Sequence, residues 1–257
     1  MALRIGIIGC GAIGNSIAKA IGAGRGGDAK IVAVFDGDRE RAGELAKKSD
    51  SKIAQNIDEL VRESDLVLEC ASQGAVREYG PKIAGKKDFV VMSVGALLDG
   101  ALMGELVSKA KKGGKKIFVP SGAVCGLDGL KGAGIGKVES VRLTTTKPPK
   151  SLGLEVMGRT VVFVGTPEEA VKKFPANINV SAAVRLTAGG APVKVEIVAD
   201  PDAELNMHEV RAKGEFGELL CKTENLPSKD NPKTSALAAM SAVATIRRIT
   251  ETLIIGT

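Results

Sequence analysis

Three glycines near the start of the chain, Gly9, Gly11 and Gly14, follow the apolar run Leu3-Arg-Ile-Gly-Ile-Ile8 in the spacing G-x-G-x-x-G. A strand before the motif and a helix after it give phosphate-binding chemistry. Gly9 permits a tight turn, Gly11 lets main chain approach a pyrophosphate, and Gly14 lets helix and strand pack closely. Ala12 and Ile13 open the helix, where free N–H groups and the positive dipole end attract phosphate. A second apolar run, Ile31-Val-Ala-Val-Phe35, ends in Asp36. That places a carboxylate about 20 residues past the glycines, where it accepts bonds from ribose hydroxyls. Arg39 follows and suits a 2′-phosphate, so the pattern admits NAD or NADP. Asp36 also reads as a helix N-cap, a role for which Asp38 competes.

A second candidate is His208, the only histidine in the chain. An imidazole with an ordinary pKa of about 6.5 suits proton exchange near neutrality. A strand histidine with no role reads the same way. Cys125, in a Gly-rich turn, offers a thiol. A semialdehyde dehydrogenase would use such a thiolate beside a base and a nicotinamide, but the chain lacks the Ser-Cys-Thr-Thr-Asn pattern of those enzymes. A non-catalytic nucleotide sensor would carry the same glycines, but it has no need of His208.

These residues need elements to hold them. Strand patterns at 3–9, 31–36, 65–71, 88–94 and 116–120 alternate with amphipathic helices. That is an α/β class with a Rossmann-type, doubly wound parallel sheet. After Ser121 the character changes. A Gly-rich stretch over 122–136 leads to alternating strand patterns, with Val138, Ser140, Arg142 and Thr144 on one face and Glu139, Val141, Leu143 and Thr145 on the other. Further strands at 160–164, 193–198 and 208–221 predict a second, α+β domain with an open mixed sheet. Lys147-Pro-Pro149 reads as a loop within it. Asn231-Pro232 precedes a helical pattern over 234–253 that is expected to return to the first domain. The expected organisation is 1–120 plus 233–257 for the nucleotide domain and 121–232 for the substrate and dimerisation domain.

At 257 residues, with 32 Gly, one Tyr and no Trp, the chain has the composition of α/β layers. The net charge of +6 is spread along the chain. Its densest run, Lys109, Lys111, Lys112, Lys115 and Lys116, complements a helix C-terminus. With few aromatics for base stacking, no nucleic-acid partner is expected. Four cysteines show no metal spacing, so no metal is expected, and a reduced cytoplasmic setting is the simplest reading. No signal peptide and no membrane span are read. An uncovered apolar sheet face in the second domain is expected to form a homodimer.

Three further clusters, Pro120-Ser-Gly-Ala-Val-Cys-Gly-Leu-Asp128, Phe174-Pro-Ala-Asn-Ile-Asn-Val180 and Ala199-Asp-Pro201 with Asn206-Met-His208, join the N-terminal motif and Asn231-Pro-Lys-Thr-Ser235. Together they resemble the L-aspartate dehydrogenase family over nearly the whole chain. The resemblance implies NAD(P)-dependent oxidation of L-aspartate to iminoaspartate, then oxaloacetate and ammonia, feeding NAD biosynthesis. It implies His208 as catalytic residue, Ala123 as a main-chain cofactor contact and Asn179 as a contact near the nicotinamide. Asn177 is assigned the cap of the helix that follows. Ser121, inside a matched motif, is the one substrate-binding candidate; Ser72, Gln73, Arg142, Arg185 and Lys194 are conceivable carboxylate donors. A short spacer, Ala188-Gly-Gly-Ala-Pro192, departs from the family pattern and shifts a loop rather than a motif.

Overall fold

The computed structural model describes residues 1–174, 179–228 and 234–256. The chain divides into two compact units, Met1–Pro120 with Ala239–Ile254, and Ser121–Ala238 with the last residues. In the first, β1 (Leu3–Ile8), α1 (Ala12–Gly22), β2 (Ala29–Phe35), α2 (Arg39–Ser49), β3 (Lys52–Ile53), α3 (Ile57–Glu63), β4 (Leu66–Glu69), α4 (Gln73–Ile83), β5 (Asp88–Val91), α5 (Gly100–Lys112) and β6 (Ile117–Phe118) follow one another. All strand pairs are parallel, in the order β3-β2-β1-β4-β5-β6. The order reverses between β1 and β4, the switch point at which open α/β sheets bind ligands beyond their carboxyl ends.

Apolar strands specify this sheet because both of its faces are covered. Ile5, Ile7, Val34, Leu66, Leu68 and Val90 are fully buried, each contributing about 1.5–3 kcal/mol. The helices start where a side chain satisfies their first N–H groups. Asp38 accepts from Glu40 N and Arg41 N, Asn56 from Glu59 N, Ser72 from Ala75 N, and Asp99 from Ala101 N and Leu102 N. The lysines ending α5 lie in its last turn, opposite in charge to the carbonyl end. The two-residue β3 escapes the sequence pattern because both of its residues are exposed.

The second unit contains α6 (Leu127–Ala133), β7 (Val138–Lys147), α7 (Pro149–Leu152), β8 (Thr160–Gly165), α8 (Pro167–Lys173), α9 (Asn179–Thr187), β9 (Val193–Ala199), β10 (Asn206–Gly214) and β11 (Gly217–Asn225). The sheet order is β11-β10-β7-β9-β8, with β7 and β9 parallel and the other pairs antiparallel. One face packs Val141, Leu143, Val195, Ile197, Val210 and Ala212 against Leu130 of α6 and Val180 and Val184 of α9. The other face is open. The last helix, α10 (Ala236–Thr250), places Ala242, Val243 and Ile246 in the core of the first unit.

Two expectations need correction. Lys147 is not in a loop. It is the last residue of β7, buried, and Pro149 opens α7. The open sheet face is not predominantly apolar. It carries Arg211–Glu218, Lys213–Glu218, Lys222–Glu224 and Lys194–Glu196 ion pairs, with Val161, Val164 and Leu220 exposed toward its edges. Alternation, not total hydropathy, decides which side chains face water here.

Candidate active site

The glycine loop joins β1 to α1 with little spare space. Gly9 has φ +97°, and a methyl group on it would lie 2.7 Å from Ala71 N. A methyl at Gly14 would overlap the Gly9 carbonyl oxygen, whereas one at Gly11 would meet nothing within 4 Å. Two glycines are therefore required by the fold, and the third faces open space that a ligand can fill. No side chain caps the N-terminus of α1, unlike that of α2, α3, α4 or α5, so the first-turn N–H groups at Ala12 and Ile13 suit a pyrophosphate. These features fit a dinucleotide.

Asp36 lies beside this loop. Its carboxylate accepts from Cys10 N at 2.6 Å and Asp38 N at 2.9 Å, which ties the end of β2 to the loop. The cap of α2 belongs to Asp38, leaving Asp36 outside that role. Burial and the Asp36 charge push the Cys10 thiol up to about 12. Arg39 is exposed and donates to Gln55 Oε1 at 3.0 Å. Two residues that sequence reading passed over complete the frame. Asn15 donates to the carbonyls of Cys10 and Gly11 at 2.8 and 3.1 Å. Glu69, fully buried, accepts from Ala71 N, Ser72 N, Ser93 N and Ser93 Oγ. Its signal was an acid ending an apolar strand, as Asp36 does. Burial raises its pKa, and those four donors pull it back.

In the second unit, β10 places His208 opposite Thr145 of β7 and Thr223 of β11. His208 is 2% exposed, and its Nδ1 lies 3.0 Å from Thr145 Oγ1. With Nδ1–H donated to that hydroxyl, Nε2 holds the lone pair, the tautomer a base requires. Burial and then the Lys147 charge pull the His208 pKa down to about 3. Lys147, 3% exposed, is itself lowered by burial to about 8. Reading Lys147-Pro-Pro149 as a loop concealed this lysine. The alternation of β7, carried two residues past Thr145, would have found it.

Ala123 is buried beside β11, and its carbonyl accepts from Thr223 Oγ1 and Asn225 Nδ2, both at 2.9 Å. Thr223 Oγ1 also reaches the His208 carbonyl at 3.5 Å. The structure thus ties Ala123, in the turn before α6, to the β11 strand that pairs with His208. Ser121 begins this unit and is partly buried. Asn179 is the first residue of α9; Asn177, Asn231 and Pro232 lie outside the described residues. The other conceivable carboxylate donors are occupied or face outward. Arg185 pairs with Glu168 and Lys194 with Glu196, Arg142 is exposed, and Ser72 caps α4. Burial and Cys221 push the Cys125 thiol up, the wrong direction for a nucleophilic thiolate.

A Rossmann sheet with an open dinucleotide loop, and a mixed sheet burying a histidine, define an NAD(P)-dependent dehydrogenase of two units. Residues 9–120 match the NAD-binding domain of homoserine dehydrogenase, and residues 128–249 match the C-terminal domain of aspartate dehydrogenase. The chain is 48% identical to L-aspartate dehydrogenase of Methanothermobacter thermautotrophicus, with 99% of each chain covered. It is 46% identical to that of Methanocaldococcus jannaschii, over 99% of this chain and 100% of the relative. The crystal structure of aspartate dehydrogenase from Thermotoga maritima superposes with a TM-score of 0.79 at 33% identity, covering 100% of both chains. The chain belongs to the aspartate dehydrogenase family.

Proposed function

We propose that this enzyme catalyses NAD(P)-dependent oxidative deamination of L-aspartate to iminoaspartate, which water converts to oxaloacetate and ammonia. The observation that carries this reading is a buried histidine, with one ring nitrogen fixed by Thr145, in a chain whose relatives are L-aspartate dehydrogenases. Gly9, Gly11 and Gly14 shape the pyrophosphate loop, Ala12 and Ile13 supply N–H groups, and Asp36 takes the ribose hydroxyls. Asp36 already accepts from two main-chain N–H groups, and each of its oxygens keeps a further lone pair for a ribose hydroxyl. Ala123 and Asn179 are proposed as further cofactor contacts, and Ser121 as a substrate contact. When bound, the nicotinamide would supply the acceptor for the hydride that leaves the substrate Cα.

His208 does the protein's share of the proton chemistry. Neutral at physiological pH, its Nε2 takes a proton from the substrate ammonium, which frees the nitrogen lone pair that drives hydride departure. Once it has released that proton to solvent, the neutral Nε2 accepts a proton from the water that attacks the imine carbon. We further propose a cytoplasmic homodimer contributing to NAD biosynthesis. The uncovered second sheet supports the dimer through Val161, Val164 and Leu220 exposed at its edges rather than through a continuous apolar face. The four free cysteines support a reducing compartment. Among the described residues no helix is long and apolar enough to cross a membrane.

The test is NAD- and NADP-linked oxidation of L-aspartate beside His208→Ala. Turnover lost in the variant with NADH affinity kept supports the assignment. Full activity in the variant removes His208 from the chemistry, and no turnover by the native enzyme removes the substrate. Sedimentation at working concentration tests the dimer, and a monomeric mass would sink it.

A further inference from the structure

The buried face of the second sheet ends in two polar rows. In one, Thr223, His208 and Thr145 stand opposite one another across β11, β10 and β7. In the next, Asn225 faces Asn206, and the β10–β7 register, continued one residue beyond the Met207–Thr146 pair, sets Asn206 level with Lys147. Asn225, Asn206 and Lys147 are all buried. Taking an ammonium and two amides out of water costs several kcal/mol unless partners replace the solvent.

Lys147 has a partner within the protein, and for the amides part of that replacement is visible. Asn225 Nδ2 donates to the carbonyls of Ala123 and Asn206. Asn206 Nδ2 is different: among the described residues it is the one buried side-chain polar atom without a hydrogen-bond partner. Its neighbour in the row, Lys147, cannot supply the acceptor, because an ammonium and an amide N–H₂ are both donors. A buried donor left unmade costs about 1–3 kcal/mol. A group that offers one oxygen to the amide and another to the ammonium, and carries the opposite charge, is a carboxylate.

We propose that Lys147 and Asn206 bind one carboxylate of the substrate beside His208, Lys147 through its charge and Asn206 through its amide N–H. This rests on the aspartate dehydrogenase reading and gives that reading its anion-recognising residues. It also gives Lys147 a second effect. Its charge opposes protonation of His208, and a carboxylate seated against it offsets that charge. Substrate arrival therefore makes the imidazole more basic at the step where it takes a proton.

The test uses Lys147→Met, which keeps the apolar stem, and Asn206→Asp, which puts the protein's own carboxylate into the row. Steady-state amination of oxaloacetate and of pyruvate is measured with NADH and ammonia, together with NADH affinity and thermal melting. Both variants are expected to raise the oxaloacetate KM about 100-fold, the effect of losing a buried charged partner, with NADH affinity unchanged. Activity toward pyruvate, which lacks the second carboxylate, separates the two arms. If it is unaffected, the row binds the side-chain carboxylate; if it falls in parallel, the row binds the α-carboxylate. A KM within about threefold of native in both folded variants overturns the proposal. If Lys147→Met does not fold, Asn206→Asp decides. Should the native enzyme not turn over these substrates, the activity reading fails by itself. Calorimetric titration with succinate then decides the anion site, which requires binding to the native protein and none to Lys147→Met.

Discussion

The two units present their chemistry by different means. In the first, the candidate ligand contacts are largely main chain: a glycine loop and the uncapped first turn of α1, with Asp36 the principal side chain. In the second, apart from the main chain of Ala123, they are mainly side chains, with His208, Lys147 and Asn206 drawn from the buried face of two strands. A main-chain site depends on shape and fails when a side chain intrudes. A side-chain site depends on charge and protonation, and it fails when one atom is replaced while the fold survives.

Four experiments press on that contrast. The largest effect is expected at His208, where replacement by alanine lowers kcat/KM for aspartate about 10³-fold and leaves melting and NADH titration close to native. Gly14→Val comes next and should act in the opposite manner. A side chain there meets the Gly9 carbonyl, so calorimetry should show a loss of about 3 kcal/mol together with lost NADH binding. If Gly14→Val keeps its stability but loses only turnover, the distinction between shape and charge is wrong.

A third experiment reads the polar rows through pH. Lys147 is lowered to about 8 from 10.5, so between those values the unfolded chain binds the extra proton. Stability should then rise with pH across that window, by about 3 kcal/mol at most. Lys147→Met should flatten the rise in denaturant titrations. His208, lowered to about 3 from 6.5, has the same sign: stability falls as pH drops below 6.5. A pH-independent midpoint in both ranges would contradict the burial of these bases. The smallest effect belongs to Asp38→Ala, which removes the cap of α2. It should cost about 1 kcal/mol, a melting shift of about 3 °C, with kcat unaltered.

The same contrast explains what could be read from the residues alone. The glycine loop lies within one stretch from Leu3 to Gly14, and its function follows from local sterics, so its fold context was legible. Asp36 was visible because an acid ending an apolar strand breaks the pattern, and Glu69 carried that signal unnoticed. The parallel sheet was legible from continuous apolar strands, and the mixed sheet from the alternation of Val138 to Thr145. Lys147 was missed because Pro148 and Pro149 suggested a loop. Its meaning comes from Asn206 and His208, about sixty residues away and adjacent only through pairing of β7 with β10. The open sheet face was misjudged because ion pairs between neighbouring strands, such as Arg211–Glu218, depend on register.

The uncapped start of α1 has a consequence for the lifetime of the protein. A nucleotide that supplies the missing acceptor binds the folded chain and not the unfolded one. Its concentration then adds to the free energy of unfolding, by about 2.7 kcal/mol at a hundred times the dissociation constant. The cellular pool of NAD(P) would in this way help decide how long each copy escapes proteolysis, and a preparation stripped of nucleotide should age faster than one kept with it.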